Sequence, residues 1–500
     1  MHQLRRLSIG IAVLTAIAGC TSSSGPEAAG LPQLVDRLLG AATEVDRAAA
    51  IEEILATGAP VEELSSLLRE GRTYAADVSR GWRVLEPEAV EGVSRPFHLY
   101  VPESYDPETA HAVLFDLHGA VVGPGFAVGA FTERRRMWED TAARESMLLL
   151  MPHGDREAHW WNEAGHANLL GQLRYLKRNY NIDENRVFLS GFSDGGSGAL
   201  WMAFHDPTPW AGFISLHGNP TIPDVGPYPC YPRNLLNRPI RATNGARDAL
   251  YPAGEIRPLI DQMLLLGVDI RWTVYDVGHD LSFFLTEEAF SAAFLRTVTR
   301  DPSRPRVLWE TADPAVGRCD WVQIDEIGDV GDNAPFDEVN FWRLEGSLEF
   351  GVGVGATSEA GVTVAGVVPG TVAHLAGVRR DDILTRIGER AIDSSSDVRE
   401  ALRGVEPGES LTIEVLRDGE RLVLEGQVPG LDPVYRRPGE TATIEVSAND
   451  NRIEVAARHV ARYTLLISAA MFDLDRPIVV VTNGTSSFDG VVVPDPRFLL

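Results

Sequence analysis

Ser193 stands in Gly191-Phe192-Ser193-Asp194-Gly195, directly after the apolar run Val187-Phe188-Leu189. A strand that turns sharply into a helix needs small residues two positions either side of the turn, because the serine there occupies strained backbone and neighbouring side chains would collide. The helix start that follows, Gly195, Gly196, Ser197, Gly198 and Ala199, is equally small. The pattern points to a serine hydroxyl exposed for attack on an acyl carbon. Such a serine needs a base and an acid that orients the base, in the chain order Ser, Asp or Glu, His. Asp248, after the strand-like run 240–243, and His279, in Val277-Gly278-His279-Asp280 after the strand-like run 270–274, are the candidates. Asp276 and Asp280 compete for the acid role, but they adjoin His279 and would have to fold back onto it.

The reaction also needs donors for an oxyanion. One is expected from the backbone N–H of Asp194 and the other from a loop after an earlier strand. Residues 113–117 read as that strand and His118-Gly119-Ala120 as its loop, so the Ala120 N–H is expected to be the second donor, with Gly119 permitting the turn and His118 expected to be structural. Alternating apolar strands and amphipathic helices predict an α/β fold, with a buried, mainly parallel sheet and active loops at the carboxyl ends of its strands. Trp160 and Trp161 follow the strand 148–151. One is expected to pack the loop onto the sheet and the other to line a substrate cleft. His153, His159, His166, His205 and His217 receive no role.

Residues 96–295 resemble secreted α/β-hydrolase esterases related to polyhydroxybutyrate depolymerases and feruloyl esterases. The resemblance rests on Arg95-Pro96-Phe97-His98-Leu99-Tyr100-Val101-Pro102, Leu117-His118-Gly119, Trp160-Trp161-Asn162 and Tyr180-Asn181-Ile182-Asp183-Glu184-Asn185-Arg186-Val187 leading into the serine turn. It implies a parallel sheet wrapped by helices, hydrolysis of an ester-containing small molecule or polymer through an acyl-serine, and no metal or organic cofactor. Relatives also include peptidases.

Residues 1–20 read as a signal peptide: Arg5 and Arg6 precede a short apolar stretch, and Ile17-Ala18-Gly19-Cys20 resembles a bacterial lipobox. The stretch is too short for a permanent span. Processing would leave lipid on Cys20, with 21–30 as a flexible tether and the cell envelope as the expected location. Three cysteines occur in the chain, so Cys230 and Cys319 remain to pair in an oxidising compartment. Their spacing offers no metal motif. The net charge of −26 argues against nucleic acid or anionic membrane as the main partner, leaving the lipid as the only expected membrane attachment.

Beyond the tether, residues 31–75 read as a helical lead-in and 76–303 as the α/β-hydrolase domain. Residues 346–431 resemble a PDZ domain like those of periplasmic serine proteases, through Gly351-Val352-Gly353-Val354, Val367-Val368-Pro369-Gly370-Thr371, Ala376-Gly377-Val378 and Asp381-Asp382-Ile383-Leu384. The resemblance implies a C-terminal peptide held at Gly351 to Gly355, with Val398 and Leu402 across the groove. Asp381 and Gly388-Glu389 depart from the usual turn residues. Strand-like runs in 304–345 and 432–500 are expected to join as one small β-sandwich-like domain around the PDZ insertion. The expected activity is that of a serine carboxylesterase; a serine peptidase and a catalytically inactive peptide-binding scaffold are the alternatives.

Overall fold

The computed structural model describes residues 29–86, 92, 94–122, 130–329, 333–344, 350–402 and 405–500. Cys20 and the expected signal peptide lie outside the described residues. The described residues divide into two units, one formed by 29–72 with 495–500 and the other by those within 73–494. In the first, α1 (Leu31–Gly40), α2 (Glu44–Ala56) and α3 (Val61–Glu70) pack around Leu34, Leu38, Ile54 and Leu64. Leu500 O accepts from Arg47 Nη2 at 2.7 Å. The last six residues therefore belong with these helices and not with the β domain in which the sequence reading placed them.

The second unit is built on an eight-stranded sheet. Its strands are β1 (Gly81–Leu85), β2 (Phe97–Val101), β3 (His111–Leu117), β4 (Leu148–Pro152), β5 (Ile182–Phe192), β6 (Gly212–Leu216), β7 (Ile240–Gly245) and β8 (Ile270–Tyr275), in the order β1-β2-β4-β3-β5-β6-β7-β8. The pairs β1/β2 and β2/β4 are antiparallel, and all later pairs are parallel. Strands β3, β4, β6 and β7 are buried along their whole length, the mark of a parallel sheet covered on both faces. Alternate residues feed two cores: Val113, Phe115 and Leu117 join one, and Ala112 and Leu114 the other. Helices α4 (Ala130–Arg144), α5 (Glu163–Asn179), α6 (Asp194–His205), α7 (Ala253–Leu266) and α8 (Phe284–Thr297) alternate with the strands. The register aligns Leu117 with Gly191, Phe192 with Leu216, Leu216 with Thr243 and Gly245 with Tyr275. The loops after β3, β5, β6, β7 and β8 therefore emerge side by side at one edge.

Beyond this sheet, Arg306–Thr311 joins Ala442–Asn449, Arg452–Arg458, Ile478–Thr482 and Thr485–Gly490 in a five-stranded sheet, and Arg318–Cys319 and Val322–Ile327 join Val460–Leu465 in a three-stranded one. Strands from before and after the PDZ segment share both sheets and one apolar core. Asn483 and Gly484 join the last hairpin with φ of +49° and +80°, the left-handed pair of a two-residue turn that matches strand twist. The β domain is fastened to the hydrolase at the edge strand Arg306–Thr311. The Asn234 side chain exchanges two 2.9 Å bonds with the Glu310 backbone, Asn237 donates to Leu308 O at 2.8 Å, and the buried Arg238 pairs with Asp320.

The PDZ segment enters and leaves through an antiparallel ribbon, Trp342–Leu344 against Leu431–Pro433. Gln262 on α7 bonds the backbone of Trp342 in both directions at 2.8 Å. Tyr435 is buried in the hydrolase core and donates to Pro220 O at 3.1 Å. The PDZ sheet runs Val352–Ser358, Gly361–Val367, Ile383–Ile387, Ser410–Arg417, Glu420–Gln427. Asp381 has φ +71°, which explains the glycine its relatives prefer at that turn.

The expected Cys230–Cys319 disulfide is not formed. Both thiols are free and buried, but Cys230 sits in the hydrolase core and Cys319 in the β-domain core. Burial pushes both thiols up, so they behave as small apolar side chains.

Candidate active site

Strand β5 delivers Ser193 to the sheet edge with φ +59° and ψ −121°, outside the ordinary regions for a side-chain-bearing residue. Its N–H donates to Leu216 O at 2.9 Å, which holds the turn against β6. The flanking glycines are there for space. A Cβ on Gly191 would lie 2.3 Å from the Gly195 carbonyl, and one on Gly195 would lie 2.0 Å from Leu117 O. The sharp turn is thus possible only with bare backbone on both sides.

The loops after β7 and β8 bring the other two groups. Ala246 N–H bonds Tyr275 O at 2.7 Å and Arg247 N–H bonds Val277 O at 3.0 Å, so the two loops run backbone against backbone. This sets Asp248 beside His279. His279 Nδ1 lies 2.7 Å from Asp248 Oδ2, and His279 Nε2 lies 2.8 Å from Ser193 Oγ. Asp276 and Asp280, the competing acids, are not in that position: Asp276 pairs with Arg247, and Asp280 binds Ser282. The Asp248 side chain is fully buried, while His279 keeps 15% of its side-chain surface exposed. Burial alone would push the Asp248 carboxyl up. The Tyr251 N–H, the His279 imidazole and the Leu250 N–H outweigh it and hold the carboxyl below its usual range. The acid is therefore ionised and fixed, with one oxygen left for the imidazole.

Ala120 adopts φ +53°, and neither its N–H nor that of Asp194 has a hydrogen-bond partner among the described residues. A Cβ on Gly119 would lie 3.0 Å from Ser193 Cβ, so this loop passes directly over Ser193. His118 is structural: its ring meets the backbone of Gly119 and Gly154. The Asp194 side chain accepts from Val121 N–H at 2.9 Å and from the Tyr251 hydroxyl at 3.2 Å. Burial and the Asp194 carboxylate push Tyr251 up, which keeps it a donor. The sequence reading missed this clamp between the three loops.

The structure corrects the two tryptophans. Trp160 is fully buried, donates Nε1–H to His118 O at 2.8 Å, and fills space left by Gly154 and Gly198, so it supports the loop of His118 to Ala120. Trp161 is also buried, 6% exposed and packed with His159, so neither indole offers an open face to a substrate. His217, to which the sequence reading gave no role, sits with Nδ1 3.3 Å from Asp248 Oδ2. The only sequence signal was its place just after an apolar strand, which does not by itself tell a carboxylate partner from a solvated histidine. Among the described residues, His217, Asp248 and His279 form the one His and carboxylate group close enough to share a metal. Both nitrogens of His279 are already engaged with Ser193 and Asp248, the geometry of a proton relay.

In the PDZ segment, Gly351 has φ +75°, and a Cβ there would lie 2.1 Å from Thr371 Oγ1. Val352–Ser358 is an edge strand with Gly353 and Val354 exposed, and Val352 is half-buried. Val398, on the helix Ser395–Arg399, is buried in the PDZ core, with Leu402 packed against that core.

Residues 90–276 match the family described as "Putative esterase", and residues 348–428 match the PDZ domain family. A bifunctional acetylxylan esterase/xylanase of Neocallimastix patriciarum is 31% identical over 109 residues, 21% of this chain. The chain spans 15% of that relative's length. Among solved structures, a thermostable esterase is 22% identical with a TM-score of 0.38, covering 44% of this chain and 63% of that one. A ferulic acid esterase is 15% identical with a TM-score of 0.35, covering 43% of this chain and 98% of that one. The chain thus joins an esterase-family segment, with its serine, histidine and aspartate assembled at one sheet edge, to a PDZ segment.

Proposed function

We propose that this chain is a serine carboxylesterase working through an acyl-serine. The observation that carries the reading is the unbroken line from Ser193 Oγ through His279 to Asp248, at 2.8 and 2.7 Å, beside two N–H groups that have no partner among the described residues. Oγ attacks the ester carbon while its proton passes to His279 Nε2. The carbonyl electrons move onto oxygen, where the Ala120 and Asp194 N–H groups receive the charge; each such donor is worth about 3 kcal/mol. Collapse breaks the bond to the alkoxy oxygen, which takes the proton from Nε2 and leaves as the alcohol. Water then repeats the sequence on the acyl-serine and frees the acid. Asp248 holds the imidazole in the tautomer that presents Nε2 to Ser193.

The named relatives act on acetylated xylan and ferulic acid esters, so acetyl and feruloyl esters of carbohydrates are the first substrates to screen. In the same reading the PDZ edge strand takes a C-terminal peptide, its carboxylate at the Gly351 loop. Cys20 carries a lipid that tethers the enzyme to a bacterial cell envelope. A peptidase is the second reading, favoured by the open peptide-binding edge on the same chain. The test is hydrolysis of short-chain p-nitrophenyl esters and of peptides by protein lacking residues 1–20, beside Ser193→Ala. Ester turnover lost in the variant supports the esterase. Peptide cleavage without ester turnover supports the peptidase, and tight peptide binding with neither supports a scaffold.

A further inference from the structure

His217 lies at the end of β6 in left-handed backbone, φ +50°, its N–H bonded to Thr243 O at 2.7 Å. Its side chain has no exposed surface. The ring stacks on Phe283, with centroids 4.5 Å apart and planes 13° apart, and Phe192 lies 5.6 Å away. Its Nδ1 is 3.3 Å from Asp248 Oδ2, the same oxygen that His279 Nδ1 meets at 2.7 Å. Among the described residues neither ring nitrogen has a hydrogen bond of full geometry: Nδ1 approaches Asp248 at ion-pair distance and Nε2 has no partner. Gly245 leaves room for the ring, since a Cβ there would lie 3.1 Å from His217 Cε1.

We infer that His217 is a positioning residue: it donates Nδ1–H to Asp248 and fixes the carboxylate that orients His279. The inference rests on the esterase reading above. The charged and titratable groups that face the ring are Asp248, His279 and Asp280. Burial, against the attraction of Asp248 and with the repulsion of His279, brings the imidazole down to about 4, so it is neutral when the enzyme works and carries one proton. On Nδ1 that proton faces an anionic oxygen; on Nε2 it would be buried with no acceptor among the described residues and leave a lone pair against the carboxylate. The result is one oxygen held from two sides. With its orientation shared, Asp248 cannot swing away when His279 takes the serine proton. The donated bond also draws charge from Asp248 and so tempers the basicity of His279.

The test compares His217→Phe, which keeps the ring stack but has no donor, with His217→Asn, which tolerates positive φ and places an N–H where Nδ1 stood. A donor to a charged group is worth about tenfold or more in rate. His217→Phe is expected to lose about that in kcat on p-nitrophenyl acetate, with KM within about twofold and the acid limb of kcat/KM moved to higher pH. His217→Asn is expected to restore both. A folded His217→Phe with kcat within about twofold of wild type and an unmoved acid limb overturns the inference. Nitrogen-15 spectra of histidine-labelled wild type, assigned with His217→Asn, decide the matter even if His217→Phe does not fold: a proton on Nδ1 supports the inference and one on Nε2 overturns it. Failure of wild type to turn over any ester sinks the esterase reading, while those spectra still report on His217.

Discussion

Asp194 contributes more than its backbone N–H, and Asp194→Ala measures how much. One carboxylate oxygen accepts from Val121 N–H at 2.9 Å and the other from Tyr251 Oη at 3.2 Å. Val121 follows Ala120, the proposed oxyanion donor, and Tyr251 gives its own N–H to Asp248 at 2.9 Å. A single side chain thus ties the serine turn, the oxyanion loop and the acid loop together. A hydrogen bond to an ionised acceptor is worth about 1.5–3 kcal/mol, and losing an oxyanion donor outright costs about 3–4 kcal/mol. Freeing the loop without deleting the donor falls between nothing and that ceiling, so kcat should drop by about 10- to 100-fold with KM little changed. Tyr251→Phe, which removes the longer bond, should cost about two- to fivefold alone and nothing further in the Asp194→Ala background, because it acts through the same carboxylate. Steady-state kinetics on p-nitrophenyl acetate, with thermal melts to show that each variant is folded, provide the readout. A folded Asp194→Ala with wild-type kcat would refute the clamp.

Gly195→Ala drives a Cβ to 2.0 Å from Leu117 O, so the same assay should show activity down by more than about a hundredfold as the serine turn shifts. Asp320→Asn leaves Arg238 buried without its counter-charge and should cost about 3 kcal/mol in urea unfolding, with the hydrolase and β domain still melting together. Acid should destabilise the fold in a defined window. The folded His217 imidazole lies below its unfolded value of 6.5, at about 4, chiefly through burial, so the native state binds fewer protons between those limits and stability falls as pH drops through them. At about 1.4 kcal/mol per pH unit the loss reaches about 3 kcal/mol. Melting temperature against pH should be flatter over that window in His217→Asn. Asp248, held below its usual range, adds stability that is lost only as pH falls further.

The serine turn was legible because its constraint is steric and local: only glycine fits at 191 and 195, and that requirement is written in five consecutive residues. Asp248 and His279 were legible because parallel strands must release their loops at one edge, so residues just past apolar runs converge. His217 obeys the same rule, yet a lone histidine carries no mark that separates a carboxylate partner from a solvated side chain. Trp160 and Trp161 show the opposite difficulty. Their size announced a role in the loop, but the burial of Trp160 depends on Gly154 in the same loop and on Gly198 in α6, far along the chain. The cysteine pairing went astray because two odd thiols suggest a bond only when their cores coincide, and these lie in different ones. The last six residues were placed with the β domain because proximity in sequence said nothing of the contact with Arg47.

The proposed mechanism requires that Ser193 become acylated. Wild-type protein mixed with p-nitrophenyl acetate and acid-quenched before steady state, then digested and analysed by mass spectrometry, tests it directly. An acetyl group on Ser193 and a matching burst of p-nitrophenol are expected, and neither in Ser193→Ala. Turnover with no adduct on Ser193, or turnover that survives Ser193→Ala, would contradict it.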